Sequence, residues 1–295
     1  MRMKDWVIGI IGGSGLYDLD GLTDRERLRL DSPWGAPSDD LVTGSLDGVR
    51  LVFLPRHGQG HRLPPSAINA RANIDVLKRA GCTDLVSVSA VGSLREELPP
   101  GTFVVIDQFI DRTVARPASF FGPGLVAHVS LADPVCPVLS AAAATAARAA
   151  GATTVEGGTY VAIEGPQFST RAESELYRAW GCSVIGMTAL PEARLAREAE
   201  LPYASVCMVT DYDCWRADTA HVEVAGVLAT MRANAETARR MLGELVRGLP
   251  QTRPASPIDT GLDQAVVTDP AFRDPDLTRK LAGICPRLFS ADPAP

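Results

Sequence analysis

The sequence has 295 residues, 46% hydrophobic and 22% charged, so the chain is long enough to bury a large core in one α/β domain. Its formal net charge of -6 at pH 7 argues against a surface that binds nucleic acid, and no apolar run is long enough to span a membrane. The 6 cysteines form no C-x-x-C pair, which indicates reduced thiols and neither zinc ligands nor disulfides. With no signal-peptide pattern at the start, we expect a cytoplasmic protein that acts on small molecules.

Short β-branched runs alternate with helical patterns along most of the chain, which is typical of crossover units around a largely parallel or mixed sheet. The predicted strands are Trp6–Ile11, Arg50–Leu54, Leu85–Ala90, Phe103–Asp107, Thr159–Ile163, Ser183–Gly186 and Ala204–Val209. We therefore expect one α/β domain over residues 1–250.

Two predicted helices have both start and stop signals. Ser66 is the predicted N-cap of a helix that runs to Ala80, and Thr170 with Glu173 forms a capping box before a helix that ends at Gly181. The other helices predicted within residues 1–250 are Ser140–Ala150, Pro191–Glu200 and Val227–Val246. Prolines interrupt the chain after Leu249, so residues 251–295 are predicted to be a Pro-rich C-terminal tail with one short helix at Asp274–Ala282.

A glycine-rich run, Gly12–Gly15, follows the first predicted strand, so its backbone amides and the Ser14 hydroxyl are suited to holding an anion. Asp18 stands where a dinucleotide-binding loop has its third glycine, and no Gly-Lys-Ser/Thr follows as in a P-loop. A tight turn without a ligand is therefore an equally good interpretation of this run alone.

Further anion-binding candidates lie where predicted strands end. Arg56 and His57 follow the second predicted strand, and a guanidinium can bind phosphate bidentately while an imidazole adds a donor. Ser89 and Ala90 end the third strand, and Thr188 follows the sixth. Each alone is more often a solvated turn or a helix cap, and only their convergence favours a phosphate site.

Two carboxylates, Asp211 and Asp213, follow the last predicted strand, two residues apart and so on one side of an extended chain. A protonated carboxyl would donate to N7 of an adenine, and an acceptor carboxylate would bind the 6-amino group. The protonated carboxyl could also give its proton to the base as the base leaves. An Asp-rich turn or a divalent metal site is the alternative, although no further oxygen ligand is evident for a metal.

Seven runs carry a resemblance to a known family. They are Ile11–Gly15, Pro55–Gly58, Ala90–Leu94, Asp107–Thr113, Ile163–Ser169, Gly186–Thr188 and Thr210–Trp215. In order and spacing they resemble the motifs of methylthioadenosine phosphorylases, which belong to the trimeric purine nucleoside phosphorylase family. The resemblance covers about residues 6–248. It implies a single domain with a mixed twisted β-sheet surrounded by helices, a homotrimer, no metal or organic cofactor, and inorganic phosphate as co-substrate.

The resemblance also implies a role for individual residues. It assigns phosphate binding to Ser14, Arg56, His57, Ser89, Ala90 and Thr188, and binding of the sugar to Met187. It assigns the base to Phe168, Ser169, Thr210, Asp211 and Asp213, and the 5' substituent to Val224, Val227 and an adjacent subunit's His128. Asp213 is expected to protonate N7, with Asp211 binding or supporting the 6-amino group. Ser14 and Ser89 stand where threonine is common in relatives, and Gln167 where arginine is common.

The function implied is phosphorolysis of 5'-deoxy-5'-methylthioadenosine to adenine and 5-methylthioribose 1-phosphate, a step of purine salvage. Another 5'-modified adenosine, such as a 5'-halo-5'-deoxyadenosine, or a 6-oxopurine nucleoside is the alternative substrate. The Asp211 and Asp213 pair disfavours the oxopurine, because relatives that take 6-oxopurines place an asparagine at the base. A nucleotide-cofactor oxidoreductase built on Gly12–Gly15 and a non-catalytic nucleoside-binding protein are the alternative classes.

Overall fold

An eleven-stranded mixed β-sheet forms the centre of the computed structural model, which describes residues 5–13, 15–216 and 224–290, with side chains except at 224–229. The strands are β1 Val7–Gly12, β2 Thr23–Leu28, β3 Leu41–Leu46, β4 Val49–Pro55, β5 Asp84–Ser93, β6 Phe103–Ile106, β7 Gln108–Arg112, β8 Thr154–Glu156, β9 Thr159–Ile163, β10 Val184–Gly186 and β11 Tyr203–Asp211. The helices are α1 Ala70–Arg79, α2 Pro137–Ala149, α3 Arg171–Ala179, α4 Ala189–Glu198, α5 Val224–Gly248, α6 Pro275–Leu281 and α7 Pro286–Phe289. The predicted α/β class with a mixed sheet surrounded by helices is confirmed.

The strand β5 organises the sheet. It pairs in parallel with β1 and β11, and its last residues, Gly92 and Ser93, pair antiparallel with β10. The sheet continues from β1 through β4 and β3 to β2, and from β10 through β9 to β7. Because β1, β4, β5 and β11 run parallel, their carboxyl ends lie along one edge of the sheet.

The apolar core lies on both faces of this sheet, because successive side chains of a strand point to opposite faces. On β1, Ile10 packs in a cluster with α2 and α5, whereas Ile11 packs in a cluster with α1 and α4. Deletion of a buried side chain of this size costs about 2–5 kcal/mol of stability. The tail also contributes to the core through Leu281 and Phe289.

The seven predicted strands correspond to β1, β4, β5, β6, β9, β10 and β11, with ends that differ by a few residues. The strands that the patterns missed are β2, β3, β7 and β8. β2 has the sequence TDRERL and is largely exposed at an edge of the sheet, so it lacks the alternation of apolar residues that marks a half-buried strand.

Of the two predicted helix N-caps, one is correct and one is wrong. The capping box of Thr170 and Glu173 is present at the start of α3. The predicted cap at Ser66 is wrong: Ser66 lies in a short 3₁₀ turn, and the side chain of Asn69 caps α1 by accepting from the backbone N–H of Ala72. Within the described ranges, no helix combines the length and apolar character needed to cross a membrane.

Candidate active site

The parallel strands β1, β4 and β5 bring several of the predicted phosphate residues to one edge of the sheet. Gly12 is paired with Pro55, and the backbone N–H of Arg56 donates to the Gly12 carbonyl at 2.9 Å. Ser89, which lies four residues before the end of β5, is in register with Cys207 of β11. Ser14 lies outside the described residues. Ser87 is in register with Ile11, so Ser89 lies two residues further along β5, level with the residue after β1. Gly13, Arg56 and Ser89 therefore lie at one edge of the sheet.

Arg56 is buried, with a side chain that is 3% exposed, and its guanidinium is held mainly by the protein. Nε donates to Glu192 Oε2 at 2.9 Å and Nη2 to Glu192 Oε1 at 3.1 Å. Nη1 donates to the Val88 carbonyl at 3.0 Å, and Nη2 also lies within bonding distance of the Ile11 carbonyl and Ser87 Oγ. Among the described residues, these bonds occupy four of the five guanidinium hydrogens and leave one on Nη1.

The expectation of a bidentate contact between Arg56 and phosphate is therefore wrong for this arrangement, since Nε and Nη2 already bind Glu192 bidentately. Burial alone would lower the pKa of Arg56, but the adjacent Glu192 carboxylate and its hydrogen bonds raise that pKa above its ordinary value. Tyr203 Oη donates to Glu192 Oε1 at 2.9 Å and completes the network. Arg56 keeps its charge, and one of its Nη1 hydrogens has no acceptor among the residues that the structure describes.

His57 follows Arg56, and its Nδ1 lies 2.9 Å from the Leu63 carbonyl. A carbonyl only accepts, so Nδ1 carries the proton. Burial, together with the charges of Arg56 and His61, lowers the pKa of His57 to about 4, so the ring is neutral at pH 7. Its Nε2 is then an acceptor. The prediction that this imidazole adds a donor for phosphate is therefore wrong in the neutral form, although Nε2 can accept from the O–H of monohydrogen phosphate.

Ala90 and Thr188 are the remaining residues predicted to bind phosphate. Ala90 lies on β5 in register with Met208 of β11. Thr188 follows β10 at the N-terminus of α4, where its hydroxyl makes no capping bond, and its backbone N–H donates to Tyr160 Oη at 3.2 Å. Both residues are partly exposed, which leaves them accessible to a ligand.

Asp211 and Asp213 lie at the carboxyl end of β11, and the backbone there turns sharply, because Asp213 has a φ of 53°. Asp211 Oδ1 accepts from the backbone N–H of Asp213 at 2.8 Å, and Asp211 Oδ2 accepts from Thr210 Oγ1 at 2.7 Å. Gly92 allows this turn, since a Cβ there would lie 3.1 Å from Asp211 Oδ1 and 3.3 Å from Asp213 Cβ. Asp211 therefore stabilises the turn on which Asp213 lies.

Asp213 is 6% exposed, and its carboxylate accepts a hydrogen bond from Ser169 Oγ. Burial raises the pKa of Asp213 above its ordinary value, although the hydroxyls of Ser174 and Ser169 oppose the rise. Burial likewise raises the pKa of Asp211, while its bonds to Thr210 and the Asp213 amide oppose it. A carboxyl with a raised pKa is the kind of group that can hold and deliver a proton.

The sugar and base candidates on the neighbouring loops reach the same region. Met187 lies between β10 and α4, and a Cβ added at Gly165 would be 2.5 Å from Met187 Sδ, so the two loops are in contact. Phe168 precedes Ser169 and is 49% exposed, which leaves its ring available to a ligand. Thr210 is buried, and its hydroxyl is engaged by Val91 and Asp211.

Of the three residues predicted for the 5' substituent, only His128 has a described side chain. Val224 and Val227 lie in the first turns of α5, but their side chains are outside the described part of the chain. His128 is exposed on the loop between β7 and α2, where its N–H donates to the Ala265 carbonyl at 2.8 Å. The tail thus fixes the backbone at His128. Within residues 5–13, 15–216 and 230–290, no cluster of three or more His, Cys, Asp or Glu side chains could hold a metal ion.

The sequence analysis did not identify two polar residues of this region, Glu192 and Asn234. Glu192 binds Arg56 from α4, 136 positions away along the chain, and an acidic residue in the first turn of a helix is usually explained by the helix dipole. Asn234 is buried on α5 and donates to the Val209 carbonyl at 3.0 Å, next to the β11 end. Neither follows a local pattern, because each depends on contacts between distant elements.

Comparison with known proteins defines the class. A sequence model described as "Phosphorylase superfamily" matches residues 7–247, nearly the whole sheet and its helices. The chain therefore belongs to the phosphorylase superfamily and has its fold. The S-methyl-5'-thioadenosine phosphorylase of Cereibacter sphaeroides is 57% identical over 285 residues, which cover 96% of this chain and 98% of the relative.

Two solved structures are similar as well. A methylthioadenosine phosphorylase from an antarctic soil metagenomic library has a TM-score of 0.89 and 45% identity, covering 96% of this chain and 99% of its own. A mutant adenosine/methylthioadenosine phosphorylase of Schistosoma mansoni, in complex with methylthioadenosine, has a TM-score of 0.76 and 39% identity over 82% of this chain and 91% of its own. The chain belongs to the S-methyl-5'-thioadenosine phosphorylase family.

Proposed function

We propose that this chain cleaves 5'-deoxy-5'-methylthioadenosine with inorganic phosphate, giving adenine and 5-methylthioribose 1-phosphate. The observation that carries the proposal is the buried Asp213, whose raised pKa suits a proton donor, at the same sheet edge as the anion-binding candidates. The name of the Cereibacter sphaeroides relative and the methylthioadenosine complex of the Schistosoma mansoni enzyme support the choice of substrate.

In the proposed reaction a phosphate oxygen forms a bond to the anomeric carbon as the bond from that carbon to purine N9 breaks. The electron pair of the broken bond passes into the purine, which Asp213 protonates at N7. Monohydrogen phosphate gives up its proton on becoming the sugar phosphate, which restores the proton balance. Positioning of the anion and stabilisation of developing charge supply most of the rate, and no metal or organic cofactor is needed.

The roles of the site residues follow from their hydrogen bonds. The one free Nη1 hydrogen of Arg56, with Ser89, the Ala90 region, Thr188 and the Ser14 loop, would bind phosphate. His57 Nε2 would accept a hydrogen bond from the O–H of monohydrogen phosphate. Met187 would lie at the sugar, and Phe168 at the purine ring. Asp213 is the better donor to N7 because both oxygens of Asp211 already accept local hydrogen bonds.

We further propose a homotrimer in which His128 enters the site of a neighbouring subunit and, with Val224 and Val227, contacts the 5' substituent. The exposed position of His128 on a loop held by the tail is compatible with contact across a subunit boundary. A cytoplasmic location is supported by the six cysteines, which are all free. Sedimentation should give the mass of a trimer, and a fully active monomer would refute the shared site.

A substrate panel with phosphate tests the proposed function. Methylthioadenosine should be cleaved most efficiently, and adenosine about a hundredfold less well, since an apolar pocket rejects an added hydroxyl only moderately. Higher efficiency with a 5'-halo-5'-deoxyadenosine or with inosine would overturn the substrate assignment and favour the corresponding alternative. A chelator should leave the rate unchanged.

A further inference from the structure

Arg116, on the loop after β7, ties together backbone segments on both sides of the sugar region. Its side chain is 6% exposed. Nη1 donates to the carbonyls of Met187 at 2.6 Å and Leu190 at 3.0 Å. Nη2 donates to the Glu164 carbonyl at 2.7 Å and contacts the Ile163 carbonyl at 3.4 Å. Its Nε donates to Glu164 Oε1 at 3.0 Å.

These bonds connect three elements that end near the candidate site. Ile163 ends β9, Met187 follows β10, and Leu190 lies at the start of α4. β9 and β10 are parallel neighbours, so the two loops leave the sheet at the same edge. The Arg116 guanidinium therefore sets the spacing between the loop that continues to Phe168 and Ser169 and the loop of Met187 and Thr188.

Tyr160 and Gly165 also hold the segment of Met187 and Thr188. The next residue, Thr188, donates its N–H to Tyr160 Oη, and the Met187 side chain packs against Gly165. Glu164 is itself held, because its Oε2 accepts from the Val114 N–H at 2.7 Å. A rigid, planar set of charged donors can hold several carbonyls at once, whereas a lysine ammonium presents its donors from a single atom.

We propose that Arg116 is a positioning residue for the phosphorolysis described above, which holds Met187 and Thr188 where the sugar and phosphate are bound. Its five hydrogen bonds all go to protein groups, so it would act through the loops that it holds. The inference rests on the proposed function and on the hydrogen bonds of one guanidinium to four carbonyls and one carboxylate. Misplacement of a reacting group by about 1 Å can reduce the rate about a hundredfold. Loss of the Arg116 guanidinium should therefore lower the turnover rate.

The test compares Arg116→Ala, Arg116→Lys and the control Arg148→Ala. Arg148 forms a half-exposed ion pair with Glu156, with 50% and 49% of the side chains accessible, away from the site. Both Arg116 variants should lose about a hundredfold in kcat/KM, with effects on kcat and on the KM values for nucleoside and phosphate, and added guanidinium ion should restore part of the activity of Arg116→Ala. Arg148→Ala should match wild type.

Thermal unfolding of each variant separates positioning from folding. If Arg116→Ala does not fold, Arg116→Lys decides: a folded lysine variant with a reduced kcat supports the proposal, and wild-type kinetics overturn it. Unchanged kinetics in a folded Arg116→Ala, or activity that guanidinium does not restore, also overturn it. Wild-type enzyme assayed alongside reports on the proposed function, so the absence of phosphate-dependent cleavage by wild type would overturn both conclusions, whereas the other outcomes concern Arg116 alone.

Discussion

Ser169 Oγ lies 2.9 Å from Asp213 Oδ2 and 3.2 Å from Asp213 Oδ1, and so donates a hydrogen bond to a carboxylate that burial makes easier to protonate. The two residues come from the loop after β9 and from the end of β11. The hydroxyl of Ser169 lies within bonding distance of both carboxylate oxygens, and this hydrogen bond opposes the rise in pKa that burial causes. This relationship links the position of Asp213 to its acidity.

Asp213→Asn should lose activity mainly in kcat, because an amide keeps the shape of the side chain but has no proton to give to N7. We expect a loss of about 10²–10⁴-fold on methylthioadenosine with little change in KM. The amide can donate to a 6-oxo group, so the ratio of inosine to adenosine efficiency should rise. Measurement of this ratio in wild type, Asp211→Asn and Asp213→Asn checks the assignment. If neither substitution changes the ratio, Asp211 and Asp213 do not determine which base the enzyme prefers.

Ser169→Ala removes a hydrogen bond that favours the ionised form of Asp213, so the pKa of Asp213 should rise further. Because the proposed acid acts when protonated, activity is present below this pKa and lost above it. The alkaline limb of the kcat profile should move to higher pH, while the maximal rate falls because the side chain is less well held. The control is Ser66→Ala on an exposed turn. An alkaline limb that stays in place, or moves to lower pH, contradicts the coupling.

Arg56→Ala should raise the phosphate concentration needed for turnover and should also destabilise the protein, because it leaves Glu192 buried without its counter-charge. Removal of one partner of a buried ion pair costs about 3–5 kcal/mol. The double variant Arg56→Ala with Glu192→Gln should recover part of this stability but none of the phosphate affinity. Denaturant unfolding and rates at several phosphate concentrations separate the two effects. Wild-type dependence on phosphate in either variant would remove Arg56 from the phosphate site.

Glu198 supplies a prediction about stability and pH. Burial raises its pKa to about 7, although hydrogen bonds from Phe120 N at 2.6 Å and Ser119 Oγ at 2.8 Å oppose the rise. The folded state then holds a proton that the unfolded state releases near pH 4.5, so this group's stabilisation is full below pH 4.5 and is lost as the pH rises to 7. The loss is up to about 3 kcal/mol, from about 1.4 kcal/mol per pKa unit.

Glu198→Gln keeps one acceptor for Phe120 and one donor for Ser119 but does not titrate. Its free energy of unfolding should therefore lack the decrease that we expect for wild type between pH 5 and 7, so the stability of the variant relative to wild type should increase as the pH rises. Denaturant unfolding at several pH values measures the difference. Parallel stability profiles for the two proteins would mean that Glu198 is ionised throughout this range.

Sequence patterns predicted the parts of the fold and site that depend on neighbouring residues. The apolar runs of β1 and β11 and the capping box at Thr170 are local features, and the structure contains them. The polar edge strand β2 has no such pattern. The ion pair of Arg56 with Glu192 joins distant elements, so the sequence could place Arg56 at a strand end but not show that its guanidinium is already bound.

The same distinction applies to the side chains around the base. The spacing of Asp211 and Asp213 predicted a pair at the end of β11, and the structure has them there. The assignment of different tasks to the two carboxyls depends on their individual partners, Thr210 for Asp211 and Ser169 for Asp213. Hydroxyl partners of this kind are too common in sequences to be singled out without coordinates.

The most direct test of the account is the rate of adenine release from methylthioadenosine, with and without inorganic phosphate, by wild type and Asp213→Asn. We expect wild type to release adenine only when phosphate is present and to form one equivalent of 5-methylthioribose 1-phosphate, and Asp213→Asn to be slower by about 10²–10⁴-fold. Adenine release by wild type that is independent of phosphate, or an undiminished rate in Asp213→Asn, would contradict phosphorolysis with Asp213 as the acid.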